Sequence, residues 1–303
     1  MELVIDKLHC PQLEQLNLDM GMVEKVIQEI IQQLGLDSLK RIVVTGNEIN
    51  DYKASIVQYA GHLSKHVNVT DNEAGQGFAV VIHALNNQNE LEQIVFFREG
   101  LFCAFLISLF YSANLGEETL NGCPDTSIGM QYFMHEIGHA LDYQKMYTNY
   151  DYLPPDKIFN LAQEYDAFIY HEGLTIWSEY YAERIASAFS RNDEKDISAL
   201  ADYIHEATYP KKLNEQVAHS FRVAYNFAHY AAKCHLENLN NEFLQKQLEN
   251  AGLEAYSPIL VSFYDLLADL MDCYENWDFP SDSKKLAAMF NRLIRFERKI
   301  NSV

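Results

Sequence analysis

The sequence predicts an α+β fold in which a small N-terminal layer of mixed strands and helices precedes a predominantly helical C-terminal half. Short β-branched runs, which favour strands, occur in the first third of the 303 residues. From about Lys157 onward the chain looks helical almost to its end, and no low-complexity segment or clear linker divides it. Hydrophobic residues make up 48% and charged residues 22% of the sequence, a balance typical of a globular protein.

Four strands and three helices are predicted in the N-terminal layer. The strands cover residues 2–5, 40–45, 78–85 and 93–97, and the helices cover residues 18–34, 50–64 and 100–113. Gly35 is the expected C-cap of the first helix. The run 92–98 is either the edge strand of a sheet, where an extended peptide could pair with it, or a central buried strand.

A further helix, central to the argument below, is predicted from residue 126 or 127 to about Tyr147. A loop over residues 116–125 precedes it, and a loop over Tyr147–Pro155 follows. Residues 191–196 form a predicted turn, and the later helix boundaries are expected at Gly173, Pro210, Pro258 and Pro280. We divide the chain into an N-terminal layer, 1–126, and a part with the central helix and the C-terminal helices, 127–303, which together form one continuous unit.

The charge and the cysteine content narrow the classes of partner and compartment. A formal net charge of −20 makes the chain a poor match for nucleic acid or an anionic membrane. It serves either solubility or the binding of basic substrates. The five scattered cysteines form no Cys-x-x-Cys pair, which argues against a disulfide framework and a cysteine zinc site. With no signal-peptide pattern and no apolar run long enough for a bilayer, we expect a cytoplasmic protein, although unconventional secretion stays open.

The helix predicted to begin near residue 127 carries the pattern His135-Glu136-x-x-His139. On a helix the two histidines lie one turn apart on the same face, where both imidazoles can bind one zinc ion. Glu136 then lies beside the metal and can take a proton from a zinc-bound water. The pattern therefore predicts a catalytic zinc site with Zn²⁺ as cofactor.

A catalytic zinc ion usually has three protein ligands, so a third ligand must come from elsewhere in the chain. The stretch Trp177–Arg184 holds Glu179 and Glu183, one turn apart on one helix face. We prefer Glu179 as the ligand, and Glu183 then accepts the spare ring N–H of a zinc-bound histidine. Asp142 is either a similar partner of the ligands or an acid on the helix surface.

The two motifs together resemble the gluzincin metallopeptidases. The sequence HEIGHALD at residues 135–142 followed by EYYAE at 179–183 is similar to the catalytic domain of anthrax lethal factor and its relatives. The resemblance covers residues 131–188 and implies a zincin-like fold and the hydrolysis of peptide bonds. It implies His135, His139 and Glu179 as zinc ligands, Glu136 as general base and Glu183 as a supporting acid.

Hydrolysis of a peptide bond also needs a hydrogen-bond donor for the developing oxyanion. Tyr170 and His171 lie nine and eight residues before Glu179, about two helical turns away, and are the candidates. The lethal-factor-like pattern places its tyrosine seven residues before the ligand, where this chain has Glu172. This departure leaves the choice between Tyr170 and His171 open.

The sequence thus predicts a zinc metallopeptidase that acts on peptide or protein substrates, without nucleic acid or membrane partners. Two alternatives remain: a toxin-like or regulatory protease with one narrow target, and an inactive binding protein on a zincin scaffold. A second metal site at His219 and His229 is disfavoured, because a spacing of ten residues is not a ligand spacing. The substrate, the bond that is cut and the oligomeric state are not specified by the sequence.

Overall fold

The computed structural model describes residues 1–6, 8–61, 71–72, 75–76, 79–111, 127–155, 159–189 and 197–301. These residues group into two compact units, the first formed by Met1–Leu153 and the second by Pro154–Ala188 with the helices that follow. Most described residues are helical, and a small mixed sheet lies in the first unit. The α+β class is therefore confirmed. The boundary predicted at residue 126, the loop predicted at 116–125 and the turn predicted at 191–196 lie outside the described residues.

The sheet of the first unit has four strands in the order β1-β2-β6-β5. The strands β1, β2 and β6 are parallel, and β5 is antiparallel to β6. Because β6 pairs on both sides and is buried almost throughout, the run 92–98 is the central strand and β5 is the edge beside it. The strands are β1 (Glu2–Ile5), β2 (Leu39–Thr45), β5 (Ala79–Leu85) and β6 (Leu91–Arg98), with a separate short pair of β3 (Asp71–Asn72) and β4 (Gly75–Gln76).

Helices cover both faces of β6, as a buried strand requires. The described helices of this unit are α1 (Pro11–Gln15), α2 (Met20–Gln33), α3 (Ile49–Ala60), α4 (Glu99–Tyr111) and α5 (Ser127–Tyr150). Phe96 packs with Tyr52 and Ile56 of α3. Phe97, which points to the opposite face, has its ring 6.2 Å from that of Phe102 on α4. The alternation of side chains along the strand thus fills two separate parts of the core.

The second unit is an assembly of helices in which α6 packs against α8 and α11. Its helices are α6 (Tyr165–Ser187), α7 (Ser198–Glu206), α8 (Leu213–Leu236), α9 (Asn241–Asn250), α10 (Ser257–Asp272) and α11 (Phe279–Ile300), with 3₁₀ turns at Glu254–Tyr256 and Tyr274–Asn276. Trp177 of α6 is fully buried, and its ring lies 4.6 Å from Trp277 and 5.0 Å from Tyr274. This aromatic cluster fixes the part of α6 that bears Glu179.

The sequence located most helix ends and misjudged one glycine. Pro258 and Pro280 lie in the first turns of α10 and α11, where a missing N–H costs nothing. Gly173, in contrast, does not interrupt α6, and the predicted break there is wrong. A Cβ at this position would lie 2.9 Å from the backbone nitrogen of Ala287, so the glycine serves close packing of α6 on α11. None of the described helices is long and apolar enough to cross a membrane.

Candidate metal centre

His135 and His139 lie one turn apart on α5, with their Nε2 atoms 3.2 Å apart. Both side chains are half-buried. Two nitrogen ligands at about 2.05 Å from a tetrahedral zinc ion are separated by about 3.3 Å. The two rings can be neutral at this distance, because one nitrogen can donate a hydrogen bond and the other can accept it. The pair therefore has the spacing and the available protonation state that joint coordination of a metal requires.

Close packing on α4 fixes the position of α5. Phe133 stacks on Phe105, with ring centroids 3.9 Å apart. Gly129 allows the two backbones to approach, since a Cβ there would lie 2.2 Å from the carbonyl carbon of Ala104. The histidines are thus carried by a helix whose apolar stripe is held against the rest of the first unit.

Buried side-chain amides add polar contacts between α5 and the sheet. The Gln93 amide of β6 donates to the carbonyl of Ala140 at 2.8 Å and to the hydroxyl of Ser38 at 2.7 Å. The Ser38 hydroxyl in turn donates to the side-chain oxygen of Gln144 at 2.7 Å. Because these groups are shielded from water, the contacts favour a single register of α5 on the sheet.

Glu136, half-buried beside His135, lies in a partly desolvated environment. Burial raises the pKa of the Tyr52 hydroxyl well above its ordinary value, the charge of Glu136 raises it further, and Arg98 lowers it. The guanidinium of Arg98 lies 5.3 Å from the centre of the Tyr52 ring. The Glu136 carboxylate is therefore close enough to a buried phenol to influence its ionisation, within a site that water reaches only partly.

Two residues after the motif have defined places on α5. Asp142 is 1% exposed, which excludes an acid on the helix surface. Tyr143 packs its ring 4.6 Å from that of His83 on β5 and 6.3 Å from that of His139. The edge strand thus contributes a histidine close to the motif, which the sequence pattern did not indicate.

In the second unit, Glu179 and Glu183 lie one turn apart on α6 and share one histidine of α8. The Nε2 atom of His229 is 3.2 Å from a Glu179 oxygen, and its Nδ1 atom is 3.3 Å from a Glu183 oxygen. Lys233, one turn further along α8, places its ammonium 3.4 Å from the other Glu183 oxygen. Two acids one turn apart therefore face two basic residues one turn apart, an arrangement that orients both carboxylates.

The protonation of His229 follows from these neighbours. Burial lowers the pKa of His229, but the hydrogen bonds to Glu179 and Glu183 outweigh this effect and leave the pKa above its ordinary value. Sequence reasoning considered His229 only for a second metal site. The signal that could have identified it is the spacing of four between His229 and Lys233, which matches the spacing of Glu179 and Glu183.

The first unit offers His135 and His139 as metal-ligating side chains, and the second unit offers Glu179. Two imidazoles and one carboxylate are a common ligand set for a zinc ion that keeps an open position for water. The chemistry of the donor set therefore fits the metal that the sequence predicts.

The two candidate oxyanion donors have different surroundings on α6. The hydroxyl of Tyr170 donates a hydrogen bond of 2.9 Å to Ser283 on α11. Burial lowers the pKa of His171, which favours a neutral ring, and this ring packs 5.8 Å from that of Phe159. Burial raises the pKa of the Glu172 carboxyl to about 7. Glu172 lies seven residues before Glu179, which puts both acids on the same side of the helix.

The chain matches no protein-family model, and no curated protein or solved structure is detectably similar to it.

Proposed function

We propose that this chain is a zinc-dependent metallopeptidase of the gluzincin type with a zincin-like fold. The observation that carries the proposal is the placement of His135 and His139 one turn apart on α5, with their Nε2 atoms 3.2 Å apart. The similarity of residues 135–142 and 179–183 to gluzincin motifs supports the same conclusion. Three protein ligands leave one coordination position open, as hydrolysis requires.

Each residue of the site has a role under this proposal. A bound zinc ion would lower the pKa of a water ligand and polarise the carbonyl of the substrate. Glu136 accepts the proton of the attacking water and returns it to the leaving amine. Glu183 and His229 hold the Glu179 carboxylate in one orientation, since His229 contacts both acids.

Two groups can donate a hydrogen bond to the developing oxyanion. Tyr170 would have to exchange its bond to Ser283 for one to the substrate. His171, whose lowered pKa favours the neutral ring, keeps one N–H to donate. Loss of activity in His171→Ala but not in Tyr170→Phe would assign the role to His171, and the opposite result would assign it to Tyr170.

The proposed substrate is an extended peptide or a protein segment. The strand β5 is an edge of the sheet in the unit that carries the motif helix. An edge strand offers unpaired N–H and C=O groups to which an extended peptide can add by main-chain hydrogen bonds. His83 of β5 and Tyr143 of α5 are in ring contact, so the strand and the motif helix meet at this point.

The variant Glu136→Gln tests the proposal, because it removes the base and keeps the shape of the side chain. Cleavage of a proteome-derived peptide library should fall by at least about 100-fold, the lower range for loss of a general base. Zinc content, measured by mass spectrometry of the metal, should stay at the wild-type level. Glu249→Gln, on the exposed face of α9, is a matched control and should change neither quantity.

Three outcomes would contradict the proposal in distinguishable ways. Undiminished cleavage in Glu136→Gln would remove the assigned base. Wild-type protein that takes up no zinc would remove the cofactor. Zinc uptake with no difference between wild type and Glu136→Gln in any cleavage product would indicate a binding protein instead of an enzyme.

A further inference from the structure

The last helix carries a charge opposite to that of the rest of the chain. Residues 279–303 contain six Lys and Arg and two Asp and Glu, a net +4, whereas the other 278 residues carry −24. The two acids, Asp282 and Glu297, are buried. Asp282 accepts a hydrogen bond from Lys285, and Glu297 accepts bonds from Ser220 and Tyr256. The solvent-exposed face of α11 is therefore cationic in a strongly acidic protein.

A groove of about 340 Å³ lies on this cationic face, between α10 and α11. It is lined by Pro258, Ile259, Arg292, Arg295, Phe296 and Lys299. The three basic residues are spaced three and four apart, so they lie along one side of α11 over about 10 Å of its axis. Phe296 and the α10 residues Pro258 and Ile259 supply apolar surface beside these cations. The groove belongs wholly to the second unit.

The geometry points to a second ligand site in this groove, which takes a phosphate ester with an apolar or aromatic organic part. The guanidinium groups of Arg292 and Arg295 can each bind two phosphate oxygens through parallel N–H donors. The first turn of α10 holds no acidic residue, so the partial positive charge of its N-terminus adds to that of the cations. Phe296 offers a ring on which the organic part can pack.

The size of the groove favours a small molecule over a protein segment. Its volume lies at the lower end of the range for small-ligand pockets, and its six lining residues are far fewer than the roughly 20–30 that each partner contributes to a stable protein interface. The site is separate from the metal centre, since none of its lining residues is a candidate metal ligand or a neighbour of one. A bound phosphate ester would therefore be a ligand additional to the peptide substrate.

Isothermal titration calorimetry with phenyl phosphate tests the site. Wild-type protein should bind one equivalent, with benzyl alcohol not binding and inorganic phosphate binding more weakly than phenyl phosphate. The double variant Arg292→Glu/Arg295→Glu should weaken binding by at least about tenfold, because two charge-assisted contacts are replaced by repulsion. The control Lys284→Glu/Lys246→Glu makes the same change in net charge at exposed positions outside the groove and should bind as wild type does.

A variant of the metal centre distinguishes binding in the groove from binding at that centre, where phosphate could also bind. Binding of phenyl phosphate should be unchanged in His139→Ala, and its loss there would overturn the inference. Equal weakening in the two charge variants would also overturn it, because binding would then follow net charge alone. The same holds if wild type binds only acidic peptides or vesicles with phosphatidylserine, which would make the face a docking surface for a macromolecule.

Discussion

Two histidines of α8, ten residues apart, each pair with glutamate side chains of another helix, but the glutamates differ in their exposure to solvent. His229 contacts Glu179 and Glu183 of α6 at 3.2 and 3.3 Å. His219 contacts Glu297 of α11 at 3.4 Å. Glu179 keeps 16% of its side chain exposed, whereas Glu297 is fully buried.

The difference lies in what else the carboxylates can bind. Glu297 also accepts hydrogen bonds from the hydroxyls of Ser220 and Tyr256, so its oxygens are satisfied within the protein. Glu179 contacts His229 through one oxygen and keeps part of its side chain exposed to solvent. Histidine contact therefore does not distinguish a structural acid from a functional one. The exposure of the carboxylate is what differs between the two.

Loss of the buried pair of Glu297 and His219 should have the largest effect on stability. Glu297→Ala leaves His219, Ser220 and Tyr256 without their acceptor in a buried setting, so the free energy of unfolding should fall by about 3–5 kcal/mol. Urea denaturation measures this change. The fraction that remains folded should bind zinc with wild-type affinity, and a weakened zinc affinity would show that the two pairs are not independent.

Replacing each histidine in turn should affect a different property: zinc affinity for His229 and stability for His219. His229→Ala should weaken zinc binding by about 10–100-fold, the usual effect of losing a group that orients a ligand. His219→Ala should lower the stability and leave the zinc affinity unchanged. Competition with a chromogenic chelator measures the affinity of both variants. Equal zinc affinities in His229→Ala and wild type would assign His229 to the structure of the second unit alone.

Glu172 adds a third kind of acid to the comparison. Its carboxyl is largely buried and makes no hydrogen bond or ion pair among the described residues. Burial raises its pKa to about 7, from 4.5 in an unfolded chain. Between these two pH values the folded protein holds a proton that the unfolded chain has released, so Glu172 lowers stability progressively as the pH rises. Glu172→Gln should therefore be more stable than wild type by on the order of 1–3 kcal/mol at pH 8, and much less so at pH 5. Thermal unfolding at the two pH values measures the difference, and a gain that is independent of pH would contradict this cause.

Local patterns were sufficient to predict the strands, the motif helix and the pair of acids on α6. The β-branched runs at residues 40–45 and 93–97 form strands because they fit a buried sheet. The order of the strands did not follow, since β6 also pairs with β2, from which α3 and β5 separate it along the chain. For this reason the sequence left the run 92–98 open as an edge or a central strand.

The parts of the site that the sequence missed depend on contacts between separate helices. His229 lies 50 residues after Glu179, and only the packing of α6 on α8 brings them together. Tyr170 bonds to Ser283, 113 residues away, which no periodicity in α6 indicates. The burial of Asp142 likewise results from the packing of α5 and cannot be read from its spacing to His139.

The zinc affinity of Glu179→Ala relative to wild type tests the central claim most directly. Wild type should bind one zinc ion per chain, and Glu179→Ala should bind it at least about 100-fold more weakly, because a ligand is lost outright. Glu242→Ala, an exposed acid on α9, should retain the wild-type affinity. Unchanged zinc affinity in Glu179→Ala, or a wild-type protein that binds no zinc, would contradict the account.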